Sequence, residues 1–110
     1  MVTLEEAVHH LTGAPSTLYG LVDRGFVRQG SWADLLVFDA STVGPGSVEM
    51  RYDMPAGAAR LYSSPTGVEH VFVAGTEIVT GGGELTGELP GRVLRSGRDT
   101  RTVRVADIPA

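Results

Sequence analysis

The sequence contains no cysteine and no lysine. Without cysteine there is no disulfide framework and no thiolate ligand for a structural zinc. All nine cationic residues are arginine, a compositional bias, since no physical demand on a domain excludes lysine everywhere. No apolar run approaches the ~20 residues needed to span a bilayer. Basic residues form no continuous run, and a net charge of −4 weighs against a nucleic-acid surface. The opening "MVTLEEAVHH" places acids where a signal peptide carries a basic start and an apolar stretch. These absences predict a soluble, cytoplasmic protein with neither nucleic acid nor membrane as partner.

What remains is a globular composition, 42% hydrophobic and 20% charged over 110 residues. That length describes one small domain, or a piece of a larger one, able to bury a single thin core. Thr3 and Glu6 have capping-box spacing, and Leu4, Ala7, Val8 and Leu11 recur on one helical face, so residues 3–12 read as a short helix. Gly13 is expected to supply a left-handed stop, with a second turn over Pro15–Tyr19. The helix is too short to be stable alone and must dock on something.

From Gly20 the chain changes to short apolar runs separated by glycine. A connection or short strand is expected near 25–28, a turn at Gln29-Gly30-Ser31, and a strand over 33–39. Because Leu35-Leu36-Val37-Phe38 is apolar at consecutive positions, that strand is expected to be buried on both sides. Residues 41–66 carry Gly44-Pro45-Gly46, Pro55, Gly57 and Pro65, which predicts a long irregular connection. The clearest hairpin signal is Val68–Val73 and Thr76–Val79 around Ala74-Gly75. Leu89-Pro90-Gly91 reads as a turn, Val93 as a short strand, and "TRTVRVADI" as a final strand or tail.

Chemistry is scarce. No Gly-x-Ser-x-Gly elbow occurs. His9 and His10 are adjacent on the helix and point about 100° apart, so they cannot share a metal as an i,i+4 pair does. His70 alternates with valines and reads as a solvent-face strand residue, while Glu5-Glu6 complement the helix N-terminus. The glycines at 81–83 lack the Lys-Ser/Thr of a phosphate loop. Arg92, Arg95, Arg98, Arg101 and Arg104 recur every three residues, either as an anion-binding stripe or, more simply, as a solvated segment. Asp34 and Asp39 bracket the 35–38 run at odd spacing, so their side chains diverge from a regular strand. Asp34 is expected to fix the turn from Gly30, and Asp39 to start a local turn after the strand. No catalytic, cofactor-binding or metal-binding residue is assigned.

Two stretches carry a family resemblance. "VTLEEAVHHLTGAPSTLYGLVDRGFVRQGSWADLLVFDASTV" and "VEHVFVAGTEIVTGGGELTGELPGRVLR" resemble the C-terminal end of metal-dependent amidohydrolases, most closely the D-aminoacylase (N-acyl-D-amino-acid deacylase) branch. The resemblance covers residues 2–95, and "GELTGELPGRVLR" is its most specific part. It implies a parent that hydrolyses the C–N amide bond of N-acyl-D-amino acids with zinc-activated water, on a (β/α)8 barrel whose ligands lie upstream of this stretch. For this chain it implies a mainly β fold: a partial β-sandwich, a composite domain completed by N-terminal strands, with a short N-terminal helix. Residues 1–19 would be a helical segment packing on the barrel, 20–95 the sandwich portion, and 96–110 a tail or final strand. The expected cofactor of this chain is none, zinc belonging to the full-length enzyme. Its expected partner is the catalytic barrel, or a second copy joined through exposed strand edges as a dimer. An anion-binding module using the C-terminal arginines is the remaining alternative. Where the family usually has Asn-Gly in the hairpin turn, this chain has Ala74-Gly75, and Ala resists positive φ.

Overall fold

The computed structural model describes residues 1–108; the last two positions of the expected 96–110 tail lie outside the described residues. The protein is mainly β, with antiparallel sheets and a short helical N-terminus, as expected. Helix α1 spans Leu4–Leu11 and α2 spans Gly13–Leu18. The strands are β1 (Leu35–Phe38), β2 (Gly44–Arg51), β3 (Arg60–Thr66), β4 (Val68–Val73), β5 (Thr76–Thr80) and β6 (Glu84–Leu85). They form a four-stranded sheet in the order β1-β4-β5-β6 and a two-stranded sheet of β2 and β3. Two compact units divide the chain. Unit 1 holds Met1–Asp34, Val73–Gly75 and the stretch from Pro90 onward; unit 2 holds Leu35–Phe72 and Thr76–Leu89.

In unit 1, α1 begins with the expected capping box. The Thr3 N–H donates to Glu6 Oε2 at 2.8 Å, and the Glu6 N–H donates to Thr3 Oγ1 at 3.2 Å. Gly13 does not stop the helix in a left-handed conformation; it opens α2, and Thr12 makes the break instead, with φ −127° and ψ −78°. Glycine is required at 13 for closeness rather than for φ, since a Cβ there would lie 2.8 Å from the Phe26 ring. No strand forms near 25–28; residues 20–34 run as turns, with Leu21 bridging Thr100. The C-terminal segment likewise forms no strand near Val93 or over 101–108, only a 3-10 turn at Val105–Asp107.

In unit 2, the hairpin strands β4 and β5 form where alternation predicted them. β1 pairs antiparallel with β4, Leu36 opposite Val71. Contrary to expectation, β1 is not buried on both sides: Leu35, Leu36 and Val37 are 38%, 55% and 46% exposed. Consecutive apolar residues mark both faces as apolar, but here β1 is the edge of its sheet and its side chains stay largely exposed.

Residues 41–66 are the second correction. They are not an irregular connection but the β2–β3 ribbon, with Val48 opposite Ser63, Glu49 opposite Tyr62, Met50 opposite Leu61 and Arg51 opposite Arg60. Pro45 stands opposite Pro65 at the base of the ribbon, next to a register irregularity between Pro45 and Val48. A two-stranded ribbon leaves one edge of each strand without ladder bonds, so proline costs little there. Period-2 alternation gives the ribbon two unlike faces. Val48, Met50 and Leu61 share one; Glu49, Arg51, Arg60 and Tyr62 share the other.

Among the described residues no hydrophobic side chain is fully buried; the buried positions are Gly13, Ser16 and Gly20. Leu4, Val8 and Leu11 on the apolar face of α1 are all exposed. The single thin core expected from the length does not form within either unit.

Candidate functional site

Unit 1 is tied by a chain of charged side chains. Asp34 Oδ1 accepts the Ala74 N–H at 2.9 Å, and Asp34 Oδ2 pairs with Arg24 Nη1. The Arg24 guanidinium lies 5.0 Å from the Trp32 ring centroid, and that of Arg92 lies 4.4 Å from the same ring. Arg92 in turn reaches Asp99, which also accepts from the Arg95 N–H at 2.8 Å and from Arg98 Nη2 at 2.6 Å. The side chain of Asp99 is only 12% exposed. Its hydrogen bonds from Arg98, then from the Arg95 backbone, hold its carboxyl below the ordinary 3.8, at about 2. A depressed carboxyl stabilises the fold above its unfolded value and loses that contribution as pH falls toward about 2.

Asp34 therefore does something other than expected. It does not fix the turn from Gly30; it carries Arg24 and the hairpin turn at Ala74. The neighbouring Gly75 N–H donates to Ala33 O at 3.0 Å, a second tie on the same turn. Asp39 behaves as expected: its Oδ1 accepts the Ser41 N–H at 2.8 Å and the Ser41 hydroxyl at 2.6 Å. Those bonds, the hydroxyl first, lower its pKa. The two aspartates share no partner. Each holds a different turn at one end of β1.

The remaining candidates do not converge either. His9 and His10 sit exposed at the C-terminal end of α1. His70 is not simply a solvent-face residue, since its Nδ1 lies 2.6 Å from Glu77 Oε1 on β5. The two-residue turn at 74–75 puts 70 and 77 on one face of the hairpin, a signal available from the sequence that looking only along β4 misses. The arginine stripe is broken, because Arg92 and Arg98 are both engaged by Asp99. An open cleft of about 250 Å³ in unit 1 is lined by Ser16, Arg24, Phe26, Arg28, Ser31 and Arg101 among others. Arg24 is already paired with Asp34, and the Ser16 hydroxyl donates to the Arg24 carbonyl at 2.6 Å. Among the described residues no three His, Asp or Glu side chains cluster as a metal site requires. Zinc finds no matching set of donors among the described residues.

Comparison with known proteins gives the context. The chain is 38% identical over 95 residues to N-acyl-D-glutamate deacylase of Alcaligenes xylosoxydans xylosoxydans, covering 86% of this chain and 17% of that protein. Against N-acyl-D-aspartate deacylase of the same organism it is 38% identical over 98 residues, covering 88% and 18%. Against the D-aminoacylase of that organism it is 34% identical over 91 residues, covering 83% and 17%. The chain is D-aminoacylase-like. This D-aminoacylase-like chain spans about a sixth of the length of the curated relatives it matches. No family model matches it, and no solved structure does. Among its described residues no helix is long and apolar enough to cross a membrane.

What the D-aminoacylase-like chain offers, then, is surface. The α1 stripe of Leu4, Val8 and Leu11, the consecutive apolar positions of β1, and the outer edges of both sheets are all exposed. Burying apolar side chains is the dominant stabilising term in folding, and these have yet to find their cover.

Proposed function

We propose that this chain is the C-terminal, non-catalytic domain of an amidohydrolase whose parent hydrolyses a C–N amide bond, that of N-acyl-D-amino acids, by metal-activated water. The observation that carries the reading is the absence of buried hydrophobic side chains among the described residues, in a sequence that aligns with about a sixth of three deacylases. In this reading residues 1–19 pack the α1 stripe on the catalytic barrel. Residues 20–95 supply part of a composite β-sandwich, in which strands from elsewhere in the parent add to the β1 edge. The segment after residue 95 ties back to unit 1 through Asp99 and the Leu21–Thr100 bridge. Zinc belongs to the barrel, and the cytoplasmic setting expected from the sequence is part of the proposal.

The test is a chimera. The segment of N-acyl-D-glutamate deacylase that aligns with this chain is deleted, or replaced by this chain. Deletion is expected to abolish turnover, and replacement to retain it. The isolated chain, given zinc and an N-acyl-D-glutamate, should show no turnover above a metal-only control. Turnover by the isolated chain would overturn the non-catalytic assignment.

A second reading is a stand-alone β-module that associates with itself. It is favoured by the edge position of β1, whose exposed Leu35, Leu36 and Val37 lie on a strand with a backbone partner on one side only, in β4. Such edges template pairing with another chain.

A further inference from the structure

The β2–β3 ribbon falls within the sandwich portion of the deacylase reading, and it is the segment whose structure departs furthest from its sequence signals. β2 and β3 pair only with each other among the described residues. A two-stranded ribbon is marginal in water, and three or more strands are needed for independent stability. One face of the ribbon is apolar and open, with Val48, Met50 and Leu61 67%, 53% and 70% exposed. The other face is charged and paired within itself: Arg51 Nε donates to Glu49 Oε1 at 2.6 Å, and Arg60 clasps Asp53 through two bonds of 2.6 Å. Arg51 also covers the Tyr62 ring, 3.4 Å from its centroid.

The proline, the glycines and the register irregularity of β2 lie at its start, between Gly44 and Val48, and not in its second half. Residues 47–52, "SVEMRY", contain no proline, no glycine and no run of like charge. Their order is also self-complementary. If two copies of β2 meet antiparallel about a two-fold axis at Met50, Glu49 of each falls opposite Arg51 of the other. Met50 then faces its own copy, and Val48 faces Tyr52 of the second chain. An isologous interface requires this kind of matching, in which one patch complements itself. Opposite-charge and apolar cross-strand pairs each contribute roughly 0.2–1 kcal/mol. The same operation on β3, centred on Tyr62, sets Arg60 against Ser64 and Leu61 against Ser63, which matches neither charge nor apolarity.

We infer that β2 is a homodimerisation edge, joining two copies of this chain through Glu49, Met50 and Arg51 into one four-stranded sheet in the order β3-β2-β2-β3. This deepens the self-association reading above and rests on it, while moving the contact from β1 to β2. The partner is a second copy rather than a different protein because the register supplies its own opposite charges. Within one copy Arg51 gives Nε to Glu49 and lies over the Tyr62 ring, so its outer nitrogens turn to the second copy's Glu49 only once the seam forms.

Sedimentation of the full 110-residue chain tests it. The wild type is expected to sediment as a dimer. Glu49→Arg and Arg51→Glu each place like charges opposite one another, and each variant should fall to half that mass. Mixing the two variants restores opposite charges at both crossings, so the mixture should recover the dimer, as should the double exchange E49R/R51E. A monomeric wild type would overturn this inference together with the self-association reading. Dimers that survive both single substitutions would overturn the β2 edge alone and leave association through another edge standing. Monomeric variants that do not pair on mixing would overturn the register.

Discussion

Unit 1 joins stretches far apart in sequence through charged side chains: Asp34 to Arg24 and to the turn at Ala74, Arg24 and Arg92 to the Trp32 ring, and Arg92 to Asp99. Unit 2 is joined by backbone ladders, β1 to β4 and β2 to β3, with its side-chain ion pairs lying on exposed faces. Neither unit encloses a fully buried hydrophobic side chain among the described residues. The contrast lies in what each leaves unfinished. Clasps hold loops in place without requiring an apolar interior, whereas ladders leave edges and faces that a further strand or chain completes. Unit 1 is fastened; unit 2 is open.

The sharpest way to break this contrast is at Asp34. Its carboxylate serves a charged donor and a backbone N–H at once, and Arg24 is mostly sequestered. Truncation leaves both donors without this partner, and the loss is greatest at Arg24, whose side chain is 13% exposed and where an unpaired group costs about 1–3 kcal/mol. Asp34→Ala is therefore expected to lower unfolding stability by about 2–3 kcal/mol in urea titrations followed by Trp32 fluorescence. Asp34→Asn retains an acceptor for Ala74 and should lose less. A variant as stable as the wild type would mean that unit 1 is not held by its clasps.

The same comparison explains what was legible beforehand. The capping box of Thr3 and Glu6, the β4–β5 hairpin and the Asp39–Ser41 turn are local, settled within a few residues by hydrogen-bonding reach and period-2 alternation. The clasps were not legible, because nothing near Trp32 in sequence announces Arg92. The β2–β3 ribbon was hidden for a different reason. Its alternation Val48-Glu49-Met50-Arg51 was present, but Pro45, Pro55 and Pro65 around it read as breakers. In a ribbon with two free edges those prolines are tolerated, so the usual inference from proline failed. As for the site, the sequence offered no catalytic constellation, and the His70–Glu77 pair emerges only once the hairpin is closed.

The turn that Asp34 holds provides a second, smaller test. Ala74 has φ 50° and Gly75 φ 80°, so an alanine sits in the left-handed region where its Cβ crowds the backbone. Ala74→Gly removes that crowding and should raise stability by about 1 kcal/mol; Ala74→Asn, which tolerates the same region, should gain somewhat less. Either substitution keeps the N–H that donates to Asp34. If Asp34 already fixes the turn, the gain should be smaller in an Asp34→Ala background, because a free turn can relax away from positive φ. Equal gains in both backgrounds, measured as a double-mutant cycle, would show that clasp and turn act independently.

The smallest effect is expected in unit 2, at the cross-strand pair of His70 and Glu77, whose side chains are 42% and 34% exposed. Solvent and salt screen such a pair, and exposed pairs contribute about 0–1 kcal/mol. Glu77→Gln keeps a hydrogen-bonding partner for His70 and leaves the backbone of β5 untouched, so its unfolding midpoint should shift by less than that of Ala74→Gly, in the opposite direction. A loss matching that of Asp34→Ala would place a side-chain clasp in unit 2 as well, and the distinction between a fastened unit and an open one would fail. A small loss keeps the ladder as what holds unit 2 together. Its stability should then respond to what pairs with its edges far more than to any ion pair on its faces.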